Sequence, residues 1–515
     1  MWNAGYISEI EYIFGYFSEL SPTRLKLALL SRGIAHSVGD EPTYLELGFG
    51  QGLSLNINAV TSAGRFYGTD FNPSQAAHAA KLAQASGKDV TIFDQSFEEL
   101  AQRDDLPEFD IIALHGIWSW ISQDGRNAIL DIVRRRLKPG GILYVSYNVT
   151  PGWSPAGPLR HLLSEYSKRA ATGPILGRVD QSIAFVEKVI GADAAYFAAN
   201  PGLADRLAQI KQQDRTYVTH EYFNAHWHPE PFAEIHDAFA EAKVTFGASA
   251  SIIDNIEAVS VPTNARQVLE EIHDDVLRET VKDYFINQQF RRDIFVKGPR
   301  KMLRSEVAQA FRDMQFALLG DPAQRPKTVR TAAGEATLKE SIYEPVVIAL
   351  ALADRKPLSI DAIRQNPDCA KLTNWEIWEA LLLLVGIGFV APVATTTLSA
   401  DDQAAALRLN REICRRARFS GAMQYLAAPL TGSAISVGRI EQLFLYARAE
   451  GEADIVDFVW KMLDEQGERL IVDGETLEDA DANRKRLAEM LEVFLIEQVP
   501  VLRAVGAIGE GERLF

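Results

Sequence analysis

Thr43-Tyr44-Leu45-Glu46-Leu47-Gly48-Phe49-Gly50-Gln51-Gly52 decides the fold. A short apolar run closes on three glycines at alternate positions, and a helix-compatible stretch, residues 54–61, follows. A strand that feeds a glycine turn and then a helix builds a ligand site. Backbone without Cβ atoms allows close approach, and the helix N-terminus favours a carboxylate. A second run, Arg65–Thr69, ends at Asp70, near the offset at which an acidic residue takes two ribose hydroxyls. A dinucleotide site would instead need a small residue where Leu53 stands, because the third glycine falls one residue early. The pattern therefore predicts an adenosyl ligand without a diphosphate: S-adenosylmethionine, with S-adenosylhomocysteine as product.

Working outward, runs and helical stretches alternate. Residues 22–33 read as a helix, with Ser21 as cap and Pro22 at its first position. Further runs at Val90–Phe93, Phe109–Leu114 and residues 142–147 are separated by helical stretches at 74–86 and 125–137. The alternation predicts an α/β fold, an open and mostly parallel sheet of five strands with helices on both faces. Residues 155–207 read as an alanine-rich helical insertion. Residues 244–245 and 252–259 are expected to be the last two strands, flanking a helix at 231–242.

Pro262 closes this unit, so residues 1–262 are assigned to the cofactor-binding domain, with its insertion at about 155–210. Residues 263–338 read as a helical connector. Helices at 344–352, 359–365 and 374–385, then a strand at 389–392, resemble a winged-helix module within 339–400. The last of these helices carries Glu376 and Glu379 and neither lysine nor arginine, which argues against DNA binding. Residues 401–515 read as a helical C-terminal domain.

The chain has 515 residues and a formal net charge of −16. That length implies several cores. That charge disfavours nucleic acid as a partner and suits a basic acceptor such as a lysine side chain, as it also suits solubility. No apolar run is long enough for a bilayer. Glu9, Glu11 and Glu19 stand where a secretory leader would be basic and then apolar. Two distant cysteines, Cys369 and Cys414, point to a reducing compartment. A cytoplasmic location without membrane insertion is expected, and a homo-oligomer stays open.

The candidate cofactor residues are Glu46, Gly48, Phe49, Gly50, Gly52, Asp70 and Phe71. After the third run, Asp94 and Ser96 compete to accept the adenine amino proton, and Phe97 follows. His115-Gly116-Ile117-Trp118-Ser119-Trp120 closes the fourth run, where strand ends meet ligands. His115 and Gly116 are expected beside the cofactor, with His115 serving as base, amine positioner or wall. Tyr147 and Asn148, ending the fifth run, complete the candidate catalytic set. Trp118 and Trp120 are candidates to face a cation, with packing beneath the loop the alternative for at least one. Tyr16, Trp153, His220 and Tyr222 are further candidate substrate contacts. His220, His226 and His228 lie close in sequence, yet neither spacing nor flanks fit a zinc pattern, so no metal is assigned.

These motifs resemble class I methyltransferases with an appended methyltransferase regulatory domain, a group that includes bacterial lysine methyltransferases of outer-membrane proteins. The resemblance runs through the glycine turn, His115 to Trp120 and Val145-Ser146-Tyr147-Asn148-Val149-Thr150-Pro151-Gly152-Trp153. It continues in His220-Glu221-Tyr222-Phe223-Asn224, in Phe290 to Gly298 and in Leu426-Ala427-Ala428-Pro429-Leu430-Thr431-Gly432. It implies methyl transfer to a protein lysine by in-line displacement. A small-molecule N- or O-methyltransferase and a degenerate scaffold acting as an interaction protein are the alternatives. Phe49, where the group usually has cysteine, and Ser96 are departures.

Overall fold

The computed structural model describes residues 6–7, 9–10, 12–511 and 514–515; Glu11 lies outside them. Its centre is a seven-stranded sheet. We label the strands β1 (Thr43–Leu47), β2 (Arg65–Thr69), β3 (Val90–Phe93), β4 (Phe109–Leu114), β5 (Leu137–Asn148), β6 (Val244–Ser249) and β7 (Phe290–Lys297). Their spatial order is 3-2-1-4-5-7-6. Strands β1 to β5 are mutually parallel, as the alternation predicts. All five residues of β1 are buried, because helices cover the sheet on both faces. The helices that matter below are α1 (Pro22–Ser31), α2 (Leu53–Val60), α3 (Pro73–Ser86), α4 (Phe97–Ala101) and α5 (Gln123–Arg136).

The last two strands correct the sequence reading. Residues 252–259 are not a strand but a short 3-10 turn, Ile252–Asn255, and the start of a helix, Glu257–Ser260. The missing strand is β7, which runs antiparallel between β5 and β6 and comes from the stretch read as helical connector. Its Arg291 and Asp293 are buried and paired, so the segment shows neither an apolar run nor a clean alternation. The sheet therefore draws on residues on both sides of position 262.

The insertion between β5 and β6 is helical and has its own apolar core around Trp153, Leu159, Leu163, Ile183 and Tyr222. It includes α6 (Gly157–Arg169), α7 (Ile175–Gly191), α8 (Ala195–Ala199), α9 (Gly202–Gln212) and α10 (Arg215–Tyr222), and α11 (Phe232–Ala240) follows it. After β7, a three-stranded antiparallel sheet places Gln315–Leu318 between Leu358–Ser359 and Val390–Pro392. Helices Glu340–Leu352, Ile360–Arg364 and Asn374–Gly386 pack on it. In the C-terminal region, the helix Ala400–Arg416 rests on α3, with Lys88 paired to Asp402 at 2.5 Å and Arg408 donating to the Ser86 carbonyl. Both cysteines are buried and free. No helix among the described residues is long and apolar enough to cross a membrane.

Candidate active site

The strand order reverses between β1 and β4, and the crevice beyond their carboxyl ends is the natural ligand position in such a sheet. Gly48 leaves β1 there and His115 leaves β4. Both line one cavity of about 120 Å³. Gly48 has φ +73°, and a Cβ on it would come 2.4 Å from the Ile117 side chain. Gly52 serves another purpose: a Cβ there would meet Ala79 of α3 at 2.3 Å, so this glycine seats α3 against α2.

Asp70 sits in the cavity wall with its carboxylate fixed by backbone. Its two oxygens accept from the Gly50 and Asn72 N–H groups at 2.9 and 3.0 Å. Burial pushes its pKa up to about 7, against the lowering effect of those two bonds. Phe71, Phe97, Ile117 and Ile121 supply apolar wall beside Gln95, Ser96 and Glu98. Ser96 caps α4: its hydroxyl accepts from Glu99 N–H while the Glu99 carboxylate accepts from Ser96 N–H. Asp94 is exposed and outside the cavity lining. Tyr6 and Tyr12, from the segment ahead of α1, close the cavity from outside.

His115 and Gly116 form the other end. Phe17 stacks on the imidazole with ring centroids 3.8 Å apart, and Phe290 meets it edge-on at 6.0 Å. His115 Nδ1 lies 2.7 Å from the Tyr144 hydroxyl. Gly116 N–H donates to Ser146 Oγ at 2.7 Å. Burial lowers the His115 pKa to about 4, with Arg292 adding to the shift and Glu19 opposing it, so the ring is neutral near pH 7. Asn148 is buried, and its backbone N–H donates to Ser119 Oγ.

Several predicted residues lie elsewhere. Tyr147 points through the sheet to the face opposite Tyr144 and Ser146, where it donates to Asp293 beside Arg291. Trp118 is buried, packs on Phe239 and donates to Glu230, whereas Trp120 lines the cavity. Glu46 is enclosed beneath the site near Tyr44, and Phe49 packs into the core. Trp153 and Tyr222 belong to the core of the insertion. His220 stacks on Tyr6 and meets Tyr12 edge-on, and both tyrosines line the cavity. Tyr16 reaches the C-terminal region, 2.7 Å from Ser433 Oγ. Among the described residues no group of three or more His, Cys, Asp or Glu could hold a metal.

Residues 45–141 match a family model described as a methyltransferase domain, and residues 214–297 match one described as a predicted methyltransferase regulatory domain. An uncharacterized protein of Synechocystis, sll1526, is 37% identical over 98% of this chain and 99% of its own length. The chain belongs to this methyltransferase family. The uncharacterized protein RP789 of Rickettsia prowazekii is 24% identical over 58% of this chain and 53% of its own. The methyltransferase also shares its fold with PKMT2 from Rickettsia typhi, a structure in complex with AdoHcy. The TM-score is 0.69 at 18% identity, covering 96% of this chain and 100% of that one. Its domain and fold are those of an enzyme that uses S-adenosylmethionine. The methyltransferase cavity includes residues the sequence reading passed over: Tyr6, Gln75, Gln95, Glu98 and Ile121. Glu98 and Gln95 carried a signal in their spacing from β3. Tyr6 and Gln75 carried none, since they reach the site through folding alone.

Proposed function

We propose that the protein transfers a methyl group from S-adenosylmethionine to a lysine amine of a protein acceptor. The carrying observation is that the stretch placing Phe17 on His115 also lines, through Tyr16, Ser18 and Glu19, a cleft of about 870 Å³ shared with the C-terminal region. A cleft walled by both the sheet domain and the C-terminal region has room for a side chain together with flanking backbone. The fit to the cofactor rests on the donors and acceptors present. Asp70, fixed by two backbone N–H groups, is the acceptor for ribose hydroxyls. Gly48 leaves the backbone bare beside it, and Phe97, Ile117 and Ile121 form an apolar slot for the base, with Ser96 and Glu98 at its polar edge. Bound there, the cofactor would supply an electrophilic methyl on a sulfonium that leaves as a neutral thioether.

The chain's own part is orientation and exclusion of water. His115 is neutral, so it places no positive charge beside a sulfonium or an incoming amine. Its Nδ1 is held by Tyr144, which fixes the plane of the ring. Trp120 gives the cavity π surface favourable to a cation, and Phe17 and Phe290 shield His115 from bulk water. The amine reaches the site after losing its proton to solvent, and no strong base is required.

The test begins with calorimetry of S-adenosylhomocysteine binding to the purified protein. Incubation with methyl-labelled S-adenosylmethionine and cell protein follows, then acid hydrolysis and analysis for methylated lysine. Binding together with labelled methyl-lysine is the expected result. Label appearing only in small molecules would refute the lysine reading.

A further inference from the structure

One short stretch of chain lies between two cavities. Phe17 stacks on His115, which lines the cofactor cavity, while its neighbours Tyr16, Ser18 and Glu19 line the larger cleft. The far side of the cleft is built by the loop around Gly320, by residues 387–392, and by Tyr425, Ser436 and Gln498 of the C-terminal region.

This stretch is pinned from the C-terminal region on both sides of Phe17. Tyr16 Oη and Ser433 Oγ are 2.7 Å apart in the interior, and Ser21 Oγ donates to the Gly432 carbonyl at 2.7 Å. Gly432 has φ +59°, and a Cβ on it would come 2.4 Å from Thr23 Oγ1. The contact needs a glycine. The motif ending in Gly432 thus acts on the reaction end: it holds the segment that presses Phe17 onto His115.

Glu19 is a charged group of the cleft whose field, like that of Arg292, reaches His115. It lines the cleft, and its field raises the His115 pKa and acts on Tyr144 across the partition. Its carboxylate faces Arg292 at 3.3 Å, and Arg292 lies over Phe290, the ring that meets His115 edge-on. The Glu19 side chain is 20% exposed and that of Arg292 37% exposed. The carboxylate is the more enclosed partner, and the guanidinium has solvent to turn into. An ammonium entering from the cleft can therefore take the place of Arg292 on Glu19, in a setting where partial desolvation strengthens the attraction.

We propose that the cleft is the entry route of the acceptor, an extended protein segment whose lysine ammonium is received by Glu19 before the side chain passes Phe17 to the reaction end. This rests on the lysine reading above. It gives the C-terminal region a direct task, since that region forms the outer wall of the route and clamps the inner one.

Ser436 is exposed on the cleft wall, and both native cysteines are buried, so a cysteine placed there can be labelled selectively. Ser436→Cys carrying a bulky maleimide is compared with Glu475→Cys, on the exposed hairpin Ile471–Val472/Glu475–Thr476, carrying the same label. The probes are S-adenosylhomocysteine for binding, and poly-L-lysine and total cell protein for methyl transfer. The expected result is at least about tenfold loss of transfer for labelled Ser436→Cys, with cofactor binding and the Glu475→Cys control unchanged. Glu19→Gln is expected to raise KM for poly-L-lysine by about tenfold while kcat and cofactor binding move little. If the native protein methylates lysine and labelled Ser436→Cys and Glu19→Gln do so equally well, the route is wrong and the lysine reading stands. If the native protein binds the cofactor but methylates neither probe, the lysine reading fails and the route falls with it.

Discussion

Glu46 and Asp70 are buried carboxyls whose pKa values are pushed up, mainly by desolvation, to about 8 and about 7. The native state thus holds protons that the unfolded chain has released. The stability they contribute is complete below about pH 4 and is lost as pH rises through about 7 and about 8. Glu46→Gln keeps a partner for Tyr44 and removes the charge. It is expected to stabilise the protein by about 1–3 kcal/mol above about pH 8 and to change little near about pH 5, read from urea melts at both pH values. Asp70 behaves in the opposite sense toward ligand, because ribose hydroxyls donate to its charged form. Affinity for S-adenosylhomocysteine should fall as pH drops below about 7, and Asp70→Ala should lose about tenfold or more at neutral pH, both measurable by calorimetry. His115 is neutral above about pH 4. His115→Ala is expected to slow transfer by about tenfold to a hundredfold through lost positioning while cofactor affinity holds. A matching loss of affinity would show that the imidazole serves binding instead.

At the scale of elements, β7 carries the strongest ionic feature of the fold. Arg291 makes three buried pairs, with Glu279, Asp283 and Asp293, and Tyr147 closes the set from β5. Asp293→Ala should cost about 3–5 kcal/mol, since it strips a partner from an enclosed guanidinium. Tyr147→Phe should cost about 1 kcal/mol and leave cofactor affinity unchanged, which separates its structural place from the catalytic one expected from sequence. Equilibrium unfolding and calorimetry decide both. The contrast between Tyr147 and Ser146 also shows where sequence reading stops. The parallel strands β1 to β4 were legible residue for residue, because each is a short run rich in apolar residues set off by polar or glycine-rich turns. Which face each side chain of β5 takes was not legible, since both faces are buried and no polar alternation marks them. The glycine turn, Asp70, His115 and Trp120 were readable for the same reason that strand ends are: local chemistry announces them. Tyr6 and Gln75 reach the cavity only through the path of the whole chain.

The C-terminal region and the sheet domain are joined by small polar contacts at a site of large consequence. Tyr16→Phe, Ser433→Ala and the double variant should give a coupling of about 0.5–1.5 kcal/mol in a double-mutant cycle of unfolding. The same pair should couple in kcat if the clamp sets the position of Phe17, so cycles in both quantities distinguish glue from alignment. The sheet itself has a consequence for how the molecule comes into being. Strand β7 lies between β5 and β6, so β6 has no neighbour until residue 297 has been made. A nascent chain must carry a five-stranded parallel half through the synthesis of the whole helical insertion, and then an unattached β6 until β7 emerges. Two exposed edges wait for one late insert, and long-range pairing of this kind is slow and prone to aggregation. Release of a chain stopped at residue 262 should therefore yield insoluble protein, whatever the quality of its glycine turn.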